Sequence, residues 1–225
     1  RLAGRDRHVF ASLMLAHGHG DGMITGATRK SAHVMELVNH VFDAGPHDGA
    51  VGVSVVMHNG RIVLIADTLV HEWPDEEDLA DIATQGAQVA RELGLEPRVA
   101  FVSFSTFGYP VSERATKMHR AAEVLDGRNV DFEYEGEMAV DVALNAKGQE
   151  NYPFSRLTGP ANVLVVPARH SASISVKLMQ EMAGATIIGP ILSGVDKPIQ
   201  ICSTVSTVND IVNMAVMAAC KARRA

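Results

Sequence analysis

The chain has 225 residues, with 20 Lys and Arg against 26 Asp and Glu, a formal charge of −6. Acids and bases are interspersed, which argues against nucleic acid as a main partner, because that needs a basic stripe to neutralise phosphates. The two cysteines, Cys202 and Cys220, stand apart from any Cys/His cluster, which fits a reducing cytoplasm and not a metal held through them. Every apolar run is broken by Gly, Pro or charge well short of the roughly 20 residues a membrane span requires, and no signal-peptide pattern opens the chain. The expected protein is cytoplasmic, with no membrane partner and no metal.

The sequence begins at Arg1 without Met and runs almost at once into a helical pattern of Val9, Leu13, Met14 and Ala16; this reads as a fragment. His17-Gly18-His19-Gly20-Asp21-Gly22 follows. Two histidines at i and i+2 with a nearby acid hold one metal only with further ligands, and none follows in a recognisable pattern. The glycines run G-x-G-x-G and no strand precedes them, so a Gly-rich connection from helix to strand is expected. Ile24 to Ser31 then places Thr25, Gly26, Arg29 and Lys30 at an expected helix N-terminus. Such an end presents free N–H groups to an anion, although an ordinary capped helix has the same composition.

Val51 to Met57 and Arg61 to Ala66 flank His58-Asn59-Gly60, which predicts a hairpin and therefore a mixed sheet. Pro74 and Asp75 start a helix with apolar or small residues at Leu79, Ile82, Ala83, Gly86, Val89, Ala90 and Leu93, closed by Gly94. Val99 to Ser105 reads as a buried strand, and Ala115, Met118, Ala122 and Leu125 mark a second helix. Strands are expected at Val130–Tyr134, Ala161–Val166, Thr186–Leu192 and Pro198–Cys202, and a helix at Ile174–Met182. A last helix begins near Thr207, capped by Ser206 or Thr207, with an apolar face of Val208, Ile211, Val212, Ala215 and Val216. Strands alternating with helices predict an α/β protein with a largely parallel sheet.

In open α/β sheets ligands sit at the carboxyl ends of strands, so the loops Ser103–Gly108, with Ser105 and Thr106, and Pro167–Ser171, with His170 and Ser171, should line a common cleft. His170 is a candidate general base, although a lone loop histidine is more often a surface or hydrogen-bonded structural one. Towards the C-terminus, Gly189-Pro190-Ile191-Leu192-Ser193-Gly194-Val195-Asp196-Lys197-Pro198 precedes Ser203-Thr204 and then Asn209-Asp210-Ile211. A Ser/Asp pair within reach could orient or deprotonate a thiol. The same spacing also describes an N-cap and a first-turn acid.

These segments resemble the phosphate acetyl/butyryl transferases. That family carries Gly-Pro-Ile-Leu-x-Gly-x-x-Lys-Pro near its C-terminus, intact here at Gly189 to Pro198. Asp21 to Ala27 is similar to its Ala-Asp-Gly-x-x-x-Gly-Ala segment, Ile65 to Thr68 and Leu79 to Ala83 match its middle, and Arg98 to Thr106 is similar to its Pro-Arg-Val-Ala-x-x-Ser-Phe-Ser-Thr strand. The resemblance covers nearly the whole chain and implies a three-layer α/β/α fold with mixed, mostly parallel sheets in two lobes, approximately 1–98 plus 199–225 and 99–198. It also implies a further α/β segment before this start. Its chemistry is transfer of acetyl between CoA and phosphate, with an Asp that deprotonates the thiol and arginines that hold phosphate.

Two departures bear on function. Where the family reads Asn-Asp-Leu-Ser-Arg-Gly, this chain reads Gln200 to Val205, so Ser203 is kept, Thr204 replaces an arginine, and Asp210 falls where the base would lie. A second family arginine falls at Met35 or Glu36, and a negative charge there would repel phosphate. Val130 to Met138 and Val208 to Met214 are more similar to the C-terminal domain of hybrid malic enzymes. That resemblance implies a non-catalytic, acetyl-CoA-binding regulatory domain that forms a homodimer or higher homo-oligomer. NADP, a divalent metal and malate oxidation would belong to an upstream domain. The alternative is an active phosphate acetyltransferase. The implied acyl-CoA contacts are Thr25, Gly26, Arg29, Lys30, Ser105, Thr106, His170, Ser171, Pro190, Lys197, Ser203, Thr204 and Asp210, with Ser203 and Asp210 as vestigial catalytic candidates.

Overall fold

The computed structural model describes residues 4–42 and 49–223. Asp6 accepts from the backbone N–H groups of His8 and Val9 and so caps helix α1 (Arg7–Ala16). Its buried side is His8, Val9, Ser12 and Leu15, whereas Met14 of the expected stripe is exposed. The reason is polar satisfaction. The Ser12 hydroxyl donates to the His8 carbonyl at 2.8 Å, and His8 Nδ1 lies 2.6 Å from Thr25 Oγ1, so these polar groups are accommodated inside, with His8 Nε2 left without a partner. The Gly-rich stretch is, as expected, a connection from helix to strand. It leads into β1 (Met23–Gly26) and, beyond it, α2 (Ser31–Val38).

Strands β2 (Val51–His58) and β3 (Arg61–Ala66) form the expected hairpin. Asn59 and Gly60 take φ of 48° and 74°, the left-handed pair that a two-residue turn matching strand twist requires. Helix α3 (Glu76–Glu92) opens with a capping box between Asp75 and Asp78, and its expected face is buried except for Leu93, which lies at the C-cap. Next come β4 (Arg98–Val102) and α4 (Glu113–Asp126), whose Ala115, Met118, Ala122 and Leu125 are all buried.

The expected strand at Val130–Tyr134 is displaced: β5 spans Glu133–Met138. Apolar alternation misses it because two of its buried side chains are carboxylates. Glu135 accepts from Arg156 at 3.2 Å and from the Arg156 backbone N–H at 2.8 Å. Glu137 accepts from Ser105 Oγ at 2.9 Å and from the Gly108 N–H at 2.7 Å. Paired charges of this kind are tolerated inside a fold. Two short helices, α5 (Val140–Ala143) and α6 (Ala146–Gln149), precede β6 (Val163–Val165). Helix α7 (Arg169–Ala183) starts earlier than expected, so His170 and Ser171 lie in its first turn and not in a loop. The chain ends in β7 (Thr186–Ser193), β8 (Ile199–Cys202) and α8 (Val208–Ala222).

Six strands form one sheet in the order β5-β4-β6-β3-β2-β7. The pairings β5/β4, β4/β6 and β6/β3 are parallel, and β2 runs antiparallel to both β3 and β7. Helices α3 and α4 cover one face through Leu79, Ile82, Met118 and Leu125. On the other face, α7 and the α5 region pack through Ala143, Ala172 and Val176, which completes three α/β/α layers. β1 and β8 pair in parallel as a separate two-stranded sheet. The expected lobe boundary at 98/99 falls inside the six-stranded sheet, which takes β2 and β3 from before it. The outer limits of those lobes, Arg1 and Ala225, lie outside the described residues. A second correction concerns α8: only Met214 and Ala218 of this helix are buried, and Val208, Val212 and Val216 of the expected core face are exposed.

Candidate functional site

Parallel pairing of β1 with β8 sets Gly26 opposite Cys202. The Ala27 N–H donates to the Cys202 carbonyl at 3.0 Å, so the loops that follow the two strands run side by side. A side chain at Gly26 would collide with that same carbonyl, and its φ of 100° is one that residues with a Cβ rarely adopt. Beyond Gly26 the loop is cationic. Arg7 donates to Thr28 Oγ1 at 2.9 Å, and Arg29 lies 3.7 Å from Asp6 and 3.4 Å from His33. Lys30 is the N-cap of α2 and makes no side-chain cap, which leaves the first-turn N–H groups facing outward.

On the β8 side, the Ser203 hydroxyl accepts from the Val205 N–H at 3.2 Å and lies 3.3 Å from the Ser206 hydroxyl. Thr204 is exposed in the turn. Thr207 caps α8, and Asp210 closes a capping box: its Oδ2 accepts from the Thr207 N–H at 2.7 Å and from Thr207 Oγ1 at 2.9 Å. Asp210 also borders a cavity of about 440 Å³ with Gln180, Thr186, Asn209 and Asn213. Burial, reinforced by Asp210, pushes the Cys202 thiol up, which keeps it protonated and inert near neutral pH.

A second cleft, of about 400 Å³, lies at the carboxyl ends of β4 and β6. As the strand-end argument required, it joins Ser103 and Phe104 to Pro167, His170 and Ser171. Sequence reasoning missed Trp73, Arg114 and Lys117, which also line it. Trp73 is the sole tryptophan of the chain, is 64% exposed and stacks obliquely on His170 with ring centroids 5.0 Å apart. A lone exposed tryptophan beside Pro74 was the one available signal.

The thirteen expected contacts therefore divide. Thr25, Gly26, Arg29, Lys30, Ser203, Thr204 and Asp210 gather at the carboxyl ends of β1 and β8. His170 and Ser171 belong to the other cleft. Ser105 is buried and donates to Glu137, and Thr106 Oγ1 accepts from the Ala139 N–H at 3.0 Å; both are committed to holding a loop. Pro190 lies within β7, in the six-stranded sheet. Lys197 precedes β8 and so sits at the opposite end of that strand from Ser203. Of the two positions considered for the second arginine, Met35 is buried and Glu36 is exposed, so Glu36 is the side chain a ligand would meet. Among the described residues no group of His, Cys, Asp and Glu could hold a metal ion, and no helix is long and apolar enough to cross a membrane.

The fold is a three-layer α/β/α arrangement with paired loops at the carboxyl ends of β1 and β8, and the sequence comparison supplies its family. The chain belongs to the phosphate acetyl/butaryl transferase family, whose model matches residues 2–219. It is 52% identical over 219 residues to an NADP-dependent malic enzyme of Rhizobium meliloti (strain 1021), an alignment that covers 97% of this chain and 29% of that protein. It is 34% identical over 229 residues to a phosphate acetyltransferase of Clostridium acetobutylicum, covering 98% of this chain and 69% of the relative. The chain thus spans less than a third of the malic enzyme. Among solved structures, a phosphotransacetylase from Streptococcus pyogenes superposes with a TM-score of 0.90 at 29% identity, over 98% of this chain and 68% of that one.

Proposed function

We propose that this domain binds acetyl-CoA or CoA as a regulatory ligand, within a cytoplasmic protein that also carries an NADP-dependent malic enzyme domain upstream, and that it does not itself transfer acetyl groups. The supporting observation is the Gly26/Cys202 pairing, which brings the loop that carries Arg29 and Lys30 and leads into α2 alongside the loop that begins at Ser203. Close backbone approach, free N–H groups and cations together suit a phosphorylated ligand. Against transfer stand the exposed Thr204 and Glu36 where the family resemblance calls for arginine, and the engagement of Asp210 with Thr207. An acid that caps a helix has its orientation fixed by the bonds it accepts.

In this reading malate oxidation, with its NADP and divalent metal, belongs to the upstream domain, and the malic enzyme relatives support that arrangement. Acetyl-CoA then acts by binding one conformation of the whole protein better than another, because coupling between sites requires differential affinity. The domain also joins copies of the chain into a homodimer or higher oligomer. Retention of Ser203 favours a second reading, an active phosphate acetyltransferase. Calorimetry with acetyl-CoA, paired with an assay of acetyl phosphate formation, separates the two. The expected result is saturable binding without turnover in the native chain, weakened by Arg29→Ala with Lys30→Ala. Robust turnover by the native chain overturns the regulatory reading.

A further inference from the structure

The face of the six-stranded sheet beneath α7 is not fully covered. Helix α7 buries only Ala172 and Val176, and α5 has four residues, so a trough remains between them. It encloses about 370 Å³ over Val56, Ile65 and Leu164, with Leu178 and Met179 of α7 as its outer wall. The trough and the Trp73 cleft share Val102, Val140, Val166 and Ser175, so they adjoin. The trough is lined almost wholly by aliphatic side chains and is within the size range of small-molecule sites.

Its charge is one-sided. His58 and Arg61 stand at the trough, Arg114, Lys117 and His170 at the adjoining cleft, and no Asp or Glu is among the lining residues of either. Lys117 donates one hydrogen bond, to the Pro74 carbonyl at 2.7 Å, which leaves its charge uncompensated by any carboxylate there. In a chain with more acids than bases, an acid-free, cationic mouth on an apolar trough selects for an amphiphile with a negative head.

We propose that the trough and cleft together bind a medium-chain acyl group carrying an anionic head, with the chain under α7 and the head at Arg114 and Lys117. This site is separate from the Gly26/Ser203 loops and does not depend on their ligand. The shared chemistry is an acyl chain ending in negative charge, whether a free carboxylate or a CoA thioester.

The sole tryptophan makes the site its own reporter, since Trp73 stands in the cleft mouth. Emission of the full chain is titrated with acetate, hexanoate and octanoate below micelle formation, and with octanoyl-CoA and CoA. The carboxylates should shift Trp73 emission saturably, with affinity rising about fourfold per added methylene, as expected for burial of apolar chain. Ser175→Phe, at the junction of the two cavities, should abolish the octanoate response. Arg114→Gln lies on an exposed position, cannot unfold the core, and should weaken octanoate severalfold. If octanoyl-CoA binds and octanoate does not, the head is the thioester's phosphates; if both bind, a carboxylate suffices. Either outcome supports the site. Octanoate binding no tighter than acetate together with octanoyl-CoA binding no tighter than CoA, or a response unchanged in both variants, overturns it.

Arg29→Ala with Lys30→Ala keeps this test apart from the previous one. That variant should lose acetyl-CoA and retain octanoate. Loss of both ligands together overturns the separateness of the sites. Failure of both octanoate and octanoyl-CoA to bind the trough with acetyl-CoA still bound removes only the trough proposal, and the reverse removes only the acetyl-CoA reading.

Discussion

Helices α3 and α8 read alike in sequence and behave differently in the fold. Both open with a capping box and both carry an apolar stripe at helical spacing. On α3 that stripe is the centre of the core: Leu79, Ile82, Ala83, Val89 and Ala90 meet the six-stranded sheet. On α8 it is bare, with Val208 77% and Val212 54% exposed, and the helix holds on through Met214 and Ala218. The partner makes the difference. The six-stranded sheet offers α3 a broad apolar face, whereas α8 lies against the short strands β1 and β8 and the edge strand β7. Periodicity states that a helix has a face to bury; it does not state that this chain supplies the surface.

The sharpest way to break the comparison is to cut a methyl cluster from each side. Ile82 is fully buried, so Ile82→Ala removes its contacts and leaves a cavity, at a cost of about 2–5 kcal/mol. Chemical denaturation should show the unfolding free energy fall by that amount, through a lower midpoint with an unchanged slope. A loss below about 1 kcal/mol would mean that α3 does not anchor the sheet as its packing indicates.

The β1/β8 unit carries a smaller, pH-dependent weakness. Burial lowers the pKa of His8 from its ordinary 6.5, and the cations Arg7, Arg29 and His33 push the same way, against the attraction of Asp6. His8 Nε2 is buried without a hydrogen-bond partner, so protonation would put a charge where nothing receives it. A depressed folded-state pKa means that the contribution to stability is full above pH 6.5 and is lost as pH falls through the lower value. The protection of α1 and β1 amides, taken against the intrinsic exchange rate at each pH, should therefore fall on acidification before that of the six-stranded sheet does, and His8→Gln should flatten that dependence. Equal acid sensitivity in the two units would sink this account.

How much was legible beforehand follows the same division. The hairpin at Asn59-Gly60, the α3 and α4 faces and the strand-end cleft followed from turn chemistry, helical period and the strand-end rule. β5 did not, because Glu135 and Glu137 are buried with partners that only the folded chain brings near. Neither did the buried side of α1, where Ser12 bonds the His8 carbonyl and His8 Nδ1 meets Thr25. At the site, the family resemblance put Gly26 and Ser203 among one ligand's contacts, but it could not show that Lys197 stands at the far end of β8 from Ser203. Nor could it show that Ser105 spends its hydroxyl on Glu137. Family resemblance names the segments that carry a site, and strand direction and buried hydrogen bonds decide which side chains remain for a ligand.

The smallest expected effect is the most informative about α8. Val212 is exposed and Val216 lies one turn on, so replacing both with Ser removes little buried apolar surface and should change the stability of this chain by no more than about 0.5 kcal/mol each. Serine is close to valine in helix propensity, which keeps the backbone contribution small. The same double variant in the whole parent protein gives the contrast. A stability loss there several times larger than in the isolated chain would mean that the α8 face is covered by another part of that protein or by a second copy. Equal, small losses in both settings would mean that the face meets water throughout, and that only its Met214 and Ala218 side ever contributed to folding.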